Sequence, residues 1–477
     1  IPYVRNKAKG IEGQYFSSFE NIYTYTTLSR IDKNKLAFAP LVVELANGKK
    51  ACITEADLEN YPGIFLVNTD NSTSLSGHFA PYPCTIQQGG HNMLQQVVKS
   101  REPYIAKCKG NTNFPWRIII VSCEDKELAD SDIVYKLASP SRIEDVSWIK
   151  PGKVAWEWWN HWGISGVDFV AGINNETYMA YIDFASENNI EYVILDEGWT
   201  TKLKADLFDI IPDIDMEKLI AYAHSKKVEL ILWAGYYAFE RDMEKICKHY
   251  SGMGIRGFKI DFMNRDDQLA VDFHYRAAET AARYKLLIDF HGTYKPTGLN
   301  RTYPNVVNFE GVYGLEQMKV NSIEVDQVSY DVTMPFIRMV AGPVDYTQGA
   351  MRNATKKTHK AIYNEPMSQG TRCRQLAEYV IFESPLNMLC DSPVNYKREQ
   401  ECTDFISAIP TVWDNTIVLN GKIGKYISIA RQKGEVWYVG SLTNWDARAL
   451  ELDLSFLGVG SFSAEIYKDG VNANNIA

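Results

Sequence analysis

From Pro151 onward the sequence repeats one unit, a short apolar strand followed by a stretch with helical spacing. Candidate strands are Val154-Ala-Trp-Glu-Trp158, Tyr192-Val-Ile-Leu-Asp196, Leu230-Ile-Leu-Trp-Ala234, Gly257-Phe-Lys-Ile-Asp261, Leu286-Leu-Ile-Asp-Phe-His291 and Val307-Asn-Phe-Glu310. A weaker seventh falls at Ile337-Arg-Met-Val340 and an eighth at Leu386-Asn-Met-Leu-Cys390. Between them, Met216 to Lys227 and Gln268 to Ala282 place apolar residues three and four apart, as a helix with one buried face does. Parallel strands need crossover connections, and about eight such units in succession favour a closed (β/α)8 TIM barrel over an open sheet. A barrel gathers the C-terminal ends of its strands around one mouth. The polar residues that end these strands (Glu157, Asp196, Glu197, Asp261, His291 and Glu310) are therefore directed to a common pocket.

The flanks follow a different period. Residues 1–148 alternate as strands do, in Tyr23-Thr-Tyr-Thr26, Leu41-Val-Val-Glu-Leu45 and Trp116-Arg-Ile-Ile-Ile-Val121, with turn clusters at Ala46-Asn-Gly-Lys49 and Pro81-Tyr-Pro-Cys84. Strand patterning returns over 406–477, in Thr416-Ile-Val-Leu419, Tyr426-Ile-Ser-Ile-Ala430, Val436-Trp-Tyr-Val-Gly440 and Phe462-Ser-Ala-Glu-Ile-Tyr467. Three domains are expected: an N-terminal β-sandwich with its linker (1–148), the barrel (149–405) and a small C-terminal β-sandwich (406–477).

Composition narrows the function. The 477 residues carry a formal charge of -9 with no basic stripe, which argues against nucleic acid. No apolar run is long enough to span a bilayer. The eight cysteines form no CxxC pair, so zinc and redox motifs lack support; Cys84 and Cys108 are either bridged or free like the rest. Four glycosylation sequons, at Asn71, Asn175, Asn300 and Asn353, are near the number expected by chance. Ile1-Pro-Tyr-Val4 is neither an initiator nor a signal peptide, and the chain is expected to open partway through a domain.

Two carboxylates stand out. Asp261 closes the strand Gly257-Phe-Lys-Ile-Asp, and Lys259, two places before it, shares its face. A cation there keeps a carboxylate ionised, as a nucleophile must be, although a buried structural ion pair fits the segment equally well. Glu316 follows 55 residues later, two βα units and about a quarter turn round the rim. Glycoside cleavage uses such a pair, one ionised and one protonated, while spacing alone favours a solvated loop glutamate at 316. Glu310, at the end of its own strand, is either a hard-cation ligand or a surface acid. Glu55 reads locally as a first-turn helix acid beside a Thr54 cap. Asp196 and Glu197 suit sugar hydroxyls, and Trp156, Trp158, Trp159 or Trp199 suit ring stacking, with core packing the alternative for each. His291 is read as a substrate or mouth residue, and Arg338 and Asp345 as partners of one another.

Taken together, Phe258-Lys-Ile-Asp-Phe-Met263, Leu299-Asn-Arg-Thr-Tyr-Pro-Asn305, Phe309-Glu-Gly-Val-Tyr-Gly-Leu-Glu316, Val340-Ala-Gly-Pro-Val-Asp-Tyr-Thr347 and Ile53-Thr-Glu-Ala-Asp-Leu58 resemble glycoside hydrolase family 97 over nearly the whole chain. The resemblance implies an N-terminal β-supersandwich, truncated here, ahead of the barrel and C-terminal β-domain. In that family, inverting members lack the fourth-strand aspartate and place a base glutamate just after the fifth-strand histidine. This chain has Asp261, and Gly292 after His291, and so resembles the retaining, α-galactosidase-like branch. The resemblance then implies Asp261 as nucleophile and Glu316 as acid/base, a calcium ion held by Glu55, Glu310 and Glu316, and substrate contacts at Asp196, Lys259, Trp156, His291 and Asp345. It also implies an oligosaccharide substrate ending in α-galactose and a periplasmic or secreted location; oligomeric state is not legible. A β-L-arabinopyranosidase and a noncatalytic carbohydrate-binding protein are the alternatives, since fold alone does not prove activity.

Overall fold

The computed structural model describes residues 1–4, 10–69, 73–320 and 325–473. The sequon at Asn71 lies outside the described residues. The N-terminal region holds three antiparallel sheets. The first joins β1 (Ala37–Phe38), β4 (Phe65–Val67) and β5 (Ser76–His78); the second joins β2 (Leu41–Glu44), β3 (Lys50–Ala56) and β8 (Trp116–Ser122); β6 (Pro83–Gly89) and β7 (Gln95–Arg101) form a hairpin. Glu55 therefore sits on a strand and not in a helix turn, buried and paired across from Arg117 of β8.

The barrel is one parallel sheet ordered β14-β13-β12-β11-β10-β9-β17, from β9 (Gly152–Trp156), β10 (Tyr192–Leu195), β11 (Glu229–Gly235), β12 (Gly257–Asp261), β13 (Leu287–Phe290), β14 (Val306–Phe309) and β17 (Leu386–Leu389). β9, β10, β13, β14 and β17 are buried along their whole length, as expected of strands covered on both faces. Asn174, Asp215 and Asp267 cap the helices Asn175–Glu187, Met216–Ser225 and Gln268–Arg283 by accepting from Thr177, Lys218 and Ala270 N–H groups.

The expected seventh strand is absent. Met334–Phe336 and Arg338–Ala341 are 3-10 turns, because Arg338 turns its guanidinium onto the carbonyls of Phe309, Glu310, Gly311, Gly342 and Pro343. It does not pair with Asp345. The place of the strand is taken by the extended segment that follows. Asp345 N–H donates to Phe309 O at 2.8 Å on one side, and Val344 N–H to Glu383 O at 2.8 Å on the other. Below it, the Asn308 side chain bridges the two edge strands, donating to Leu386 O at 2.9 Å and Ser384 Oγ at 2.8 Å. The barrel thus closes through a seam.

The N-terminal region grips the barrel mouth through backbone bonds, including Phe19 N–H to Thr293 O, Asp57 N–H to Thr297 O and Tyr237 N–H to Leu94 O. At the other end, β18 (Asn415–Lys422), β19 (Tyr426–Lys433) and β20 (Val436–Thr443) form a single antiparallel sheet against the helix Arg372–Ile381, where Arg431 donates to Val380 O and Ile381 O. The expected strand at Phe462–Tyr467 does not form among the described residues. All eight cysteines are free, so Cys84 and Cys108 are not bridged. No helix among the described residues is long and apolar enough to cross a membrane.

Candidate active site

The C-terminal ends of the strands open into a cavity of roughly 310 Å³. It is lined by Trp156 and Trp158 after β9, Asp196 and Glu197 after β10, Trp233 of β11, Lys259, Asp261, Phe262 and Asn264 at β12, Gly292 after β13, and Glu310 and Glu316 after β14. Glu20, His91 and Gln95 enter from the N-terminal region and Tyr363 from a later loop.

Asp261 and Lys259 share a face as the strand period requires, but the ion pair goes elsewhere. Lys259 Nζ lies 2.8 Å from Asp196 Oδ2, which also takes the Trp156 indole N–H at 2.7 Å. Burial opposes ionisation of Asp196, yet Lys259 and the donated bonds hold its carboxyl below the usual range. Behind it, burial and the Asp196 charge push Glu157 up to about 8, although its Oε1 accepts from Tyr178 OH, Trp162 Nε1 and Asp196 N–H.

Asp261 accepts from Phe262 N–H at 2.6 Å and from Trp233 Nε1 at 3.2 Å. Burial raises its pKa, and the charges of His291 and Lys259 pull against that rise. Phe262 holds a left-handed φ of 71°, with its carbonyl taken by Gln95 of β7. Gly292, at φ +50°, leaves no room for a side chain: a Cβ there would lie 2.6 Å from both Asp261 Oδ1 and Phe262 N.

His291 and Asp345 do not line the cavity. They lie buried behind it, with Nε2 2.6 Å from Asp345 Oδ2, and Asp289 Oδ2 3.6 Å from the same nitrogen. Burial and Lys259 press the imidazole toward neutrality, but these two carboxylates raise it to about 9. Its Nδ1 faces Glu310 Oε1 at 3.5 Å.

The acids divide into separate places. Ligand atoms of His291, Glu310 and Glu316 lie within 4.8 Å of one another. Glu310 is raised well above the carboxylate range by burial and then by the charges of Glu20, Glu316 and Asp261, and it accepts from Gly292 N–H at 2.6 Å. Glu55 belongs to none of the clusters of potential metal ligands found among the described residues. It is fully buried against Lys295 and Arg117 and accepts from Ile64 N–H at 3.1 Å. The acid that joins Glu310 from the N-terminal region is Glu20, delivered by the Phe19–Thr293 backbone bond and held by Gln317 Nε2 at 2.7 Å. No sequence signal marks Glu20; it stands alone in an irregular segment. Trp199 and Trp159 are core residues, the first donating to Trp233 O.

A barrel mouth that gathers several carboxylates, a lysine–carboxylate pair and indole walls in one small cavity suits glycoside hydrolysis. The profile described as "Glycoside hydrolase 97" matches residues 158–312, "Glycosyl-hydrolase 97 N-terminal" residues 5–140, and "Glycosyl-hydrolase 97 C-terminal, oligomerisation" residues 412–477. The chain belongs to glycoside hydrolase family 97. It is 61% identical over 475 residues to a protein of Bacteroides thetaiotaomicron named "Retaining alpha-galactosidase", covering 99% of this chain and 72% of that one. It is 29% identical to a "Probable retaining alpha-galactosidase" of Streptomyces bingchenggensis, covering 76% of this chain and 54% of that one. A solved family 97 enzyme from Pseudoalteromonas sp. strain K8, in complex with acarbose, superimposes with a TM-score of 0.78 at 27% identity, over 94% of this chain and 70% of that chain.

Proposed function

We propose that the protein is a retaining, exo-acting α-galactosidase. The observation that carries the proposal is that Asp261 and Glu316 line the same small cavity, with donors on the first and a fixed backbone at the second. The 61% identical relative bearing that name supports the substrate class. The cavity is at the small end of the range for ligand sites, about 300–1,000 Å³, which suits the end of a sugar chain more than its middle.

In this reading an Asp261 oxygen attacks the anomeric carbon as the bond to the leaving oxygen breaks and Glu316 gives that oxygen its proton. Water then loses a proton to Glu316, attacks the same carbon and frees Asp261, so configuration is kept. Asp196 and Lys259, each satisfied by the other, offer an acceptor and a donor to the sugar hydroxyls without bulk reorganisation. Family resemblance supports a periplasmic or secreted location.

We also propose a calcium site. Glu20, Glu310 and Glu316 supply the hard oxygen donors that calcium takes, and their crowding around a buried, charge-raised Glu310 fits a cation. Glu20 replaces Glu55 in this set. When bound, the ion would supply charge that offsets the three acids. Chelation followed by metal analysis tests it: activity and melting temperature should fall together and return with calcium, whereas full activity in metal-free protein would exclude it.

The decisive test of the reaction is proton NMR of the first product from a nitrophenyl α-galactoside. Galactose should appear first as the α-anomer; the β-anomer would refute retention. A preference for nitrophenyl β-L-arabinopyranoside would overturn the galactoside assignment. Asp261→Ala should be inactive, and azide should restore turnover as β-galactosyl azide.

A further inference from the structure

The hydrolytic steps leave the rim of the cavity unused, although the rim is built with care. One wall is polar and spans two domains. The turn joining β6 to β7 holds Gly90, Asn92 and Met93 at left-handed φ of 69°, 47° and 65°, a strained conformation that presents His91 and Asn92 to the barrel. Asn92 Nδ2 donates to Glu197 Oε1 at 2.7 Å, and His91 Nε2 meets Glu197 Oε2 at 3.3 Å, while the imidazole leans on Phe262 with ring centres 4.8 Å apart. His91 keeps half of its side chain open to solvent.

The other wall is aromatic and is pinned by a cation. Lys319 is buried, yet it has no acidic partner within ion-pair distance among the described residues. Its ammonium lies 4.0 Å from the Trp158 ring centre and 4.2 Å from that of Tyr363, and it donates to the Trp158 carbonyl. An ammonium taken from water without a carboxylate is unfavourable unless such contacts replace its hydration. Here they fix two rings at the cavity edge, with Tyr363 45% exposed and its ring in edge contact with His161.

We propose that this rim is the subsite for the leaving-group sugar. A pyranose there packs its apolar face on Tyr363, and its hydroxyls meet His91, Asn92 and Glu197. Lys319 is a positioning residue that holds the Trp158 and Tyr363 rings. The proposal rests on the galactosidase reading above and adds what is recognised beyond the galactose.

The test compares melibiose, whose leaving group is a sugar, with α-galactosyl fluoride, whose leaving group is a single atom. The readout is the ratio of kcat/KM for the two substrates, which a general loss of folded enzyme does not move. Tyr363→Ala and His91→Ala, both at exposed positions, should each lower the ratio about tenfold, mainly through a higher KM for melibiose, which is about 1.4 kcal/mol of lost binding. Lys319→Met should lower it in the same direction by roughly threefold, as the freed rings lose their fixed pose. Ratios within about twofold of wild type in both Tyr363→Ala and His91→Ala would overturn the subsite alone. A wild-type enzyme inert toward the fluoride would remove the galactosidase reading and the subsite with it.

Discussion

Replacing Glu55 by alanine separates a structural ion pair from a metal ligand. The side chain is fully buried and is the common acceptor for Lys295, Arg117 and the Ile64 N–H. Its loss leaves Lys295, itself fully buried, next to a second cation with Asp266 as the remaining acid. Removing one partner of a buried pair costs about 3–5 kcal/mol, because the remaining charge keeps its desolvation penalty. At about 2–4 °C per kcal/mol for a domain of this size, calorimetry should show the N-terminal transition falling by roughly 6–20 °C. Glu55→Leu combined with Lys295→Met should recover much of that loss, since an apolar pair leaves no orphaned charge. Bound metal, measured by elemental analysis, should not change in the alanine variant, whereas Glu20→Ala should lose it. A Glu55→Ala protein that melts like wild type, or that loses its metal, would refute the assignment of Glu55 to the domain interface.

Three further outcomes follow from the packing. Burial lowers His274 to about 4, so below pH 6.5 the unfolded chain takes up a proton that the folded one refuses; stability is full above that pH and falls by about 3 kcal/mol toward pH 4, a slope that His274→Gln should flatten in urea titrations. Asn308→Ala removes the side-chain bridge across the barrel seam and should cost about 1–3 kcal/mol, with hydrogen exchange at β14 and β17 rising more than at β11. Asp196→Asn deprives Lys259 of its counter-charge and should lower kcat/KM on nitrophenyl α-galactoside at least about 100-fold, or about 2.7 kcal/mol; near-wild-type kinetics would exclude Asp196 from sugar binding.

The barrel was legible because its seven strands are apolar runs, five of them buried along their whole length, and because Asp196 and Asp261 close theirs. The seventh position misled for a physical reason. Ile337-Arg-Met-Val340 has strand composition, yet its arginine is consumed by five carbonyls, and the segment that lies beside Phe309 is the less apolar Val344-Asp-Tyr-Thr-Gln. Residues that meet only across the fold left no local trace. The His291–Asp345 contact joins positions 54 apart, and Glu20 reaches Glu310 from the other end of the chain. The pairing of Lys259 with Asp196 instead of Asp261 was equally hidden, since the strand period gives a side chain's face and not its neighbour on the adjoining strand.

Gly292 has a consequence for how such enzymes diverge. Its missing Cβ is the space in which Asp261 and the Phe262 amide sit, 2.6 Å from where that atom would be. A base installed after the histidine and a nucleophile on the preceding strand would claim the same volume. On the roles proposed for these residues, the two stereochemical outcomes therefore exclude one another on this backbone. A lineage moving between them must exchange both positions together, because an intermediate with either change alone is sterically overfull or has lost its attacking group.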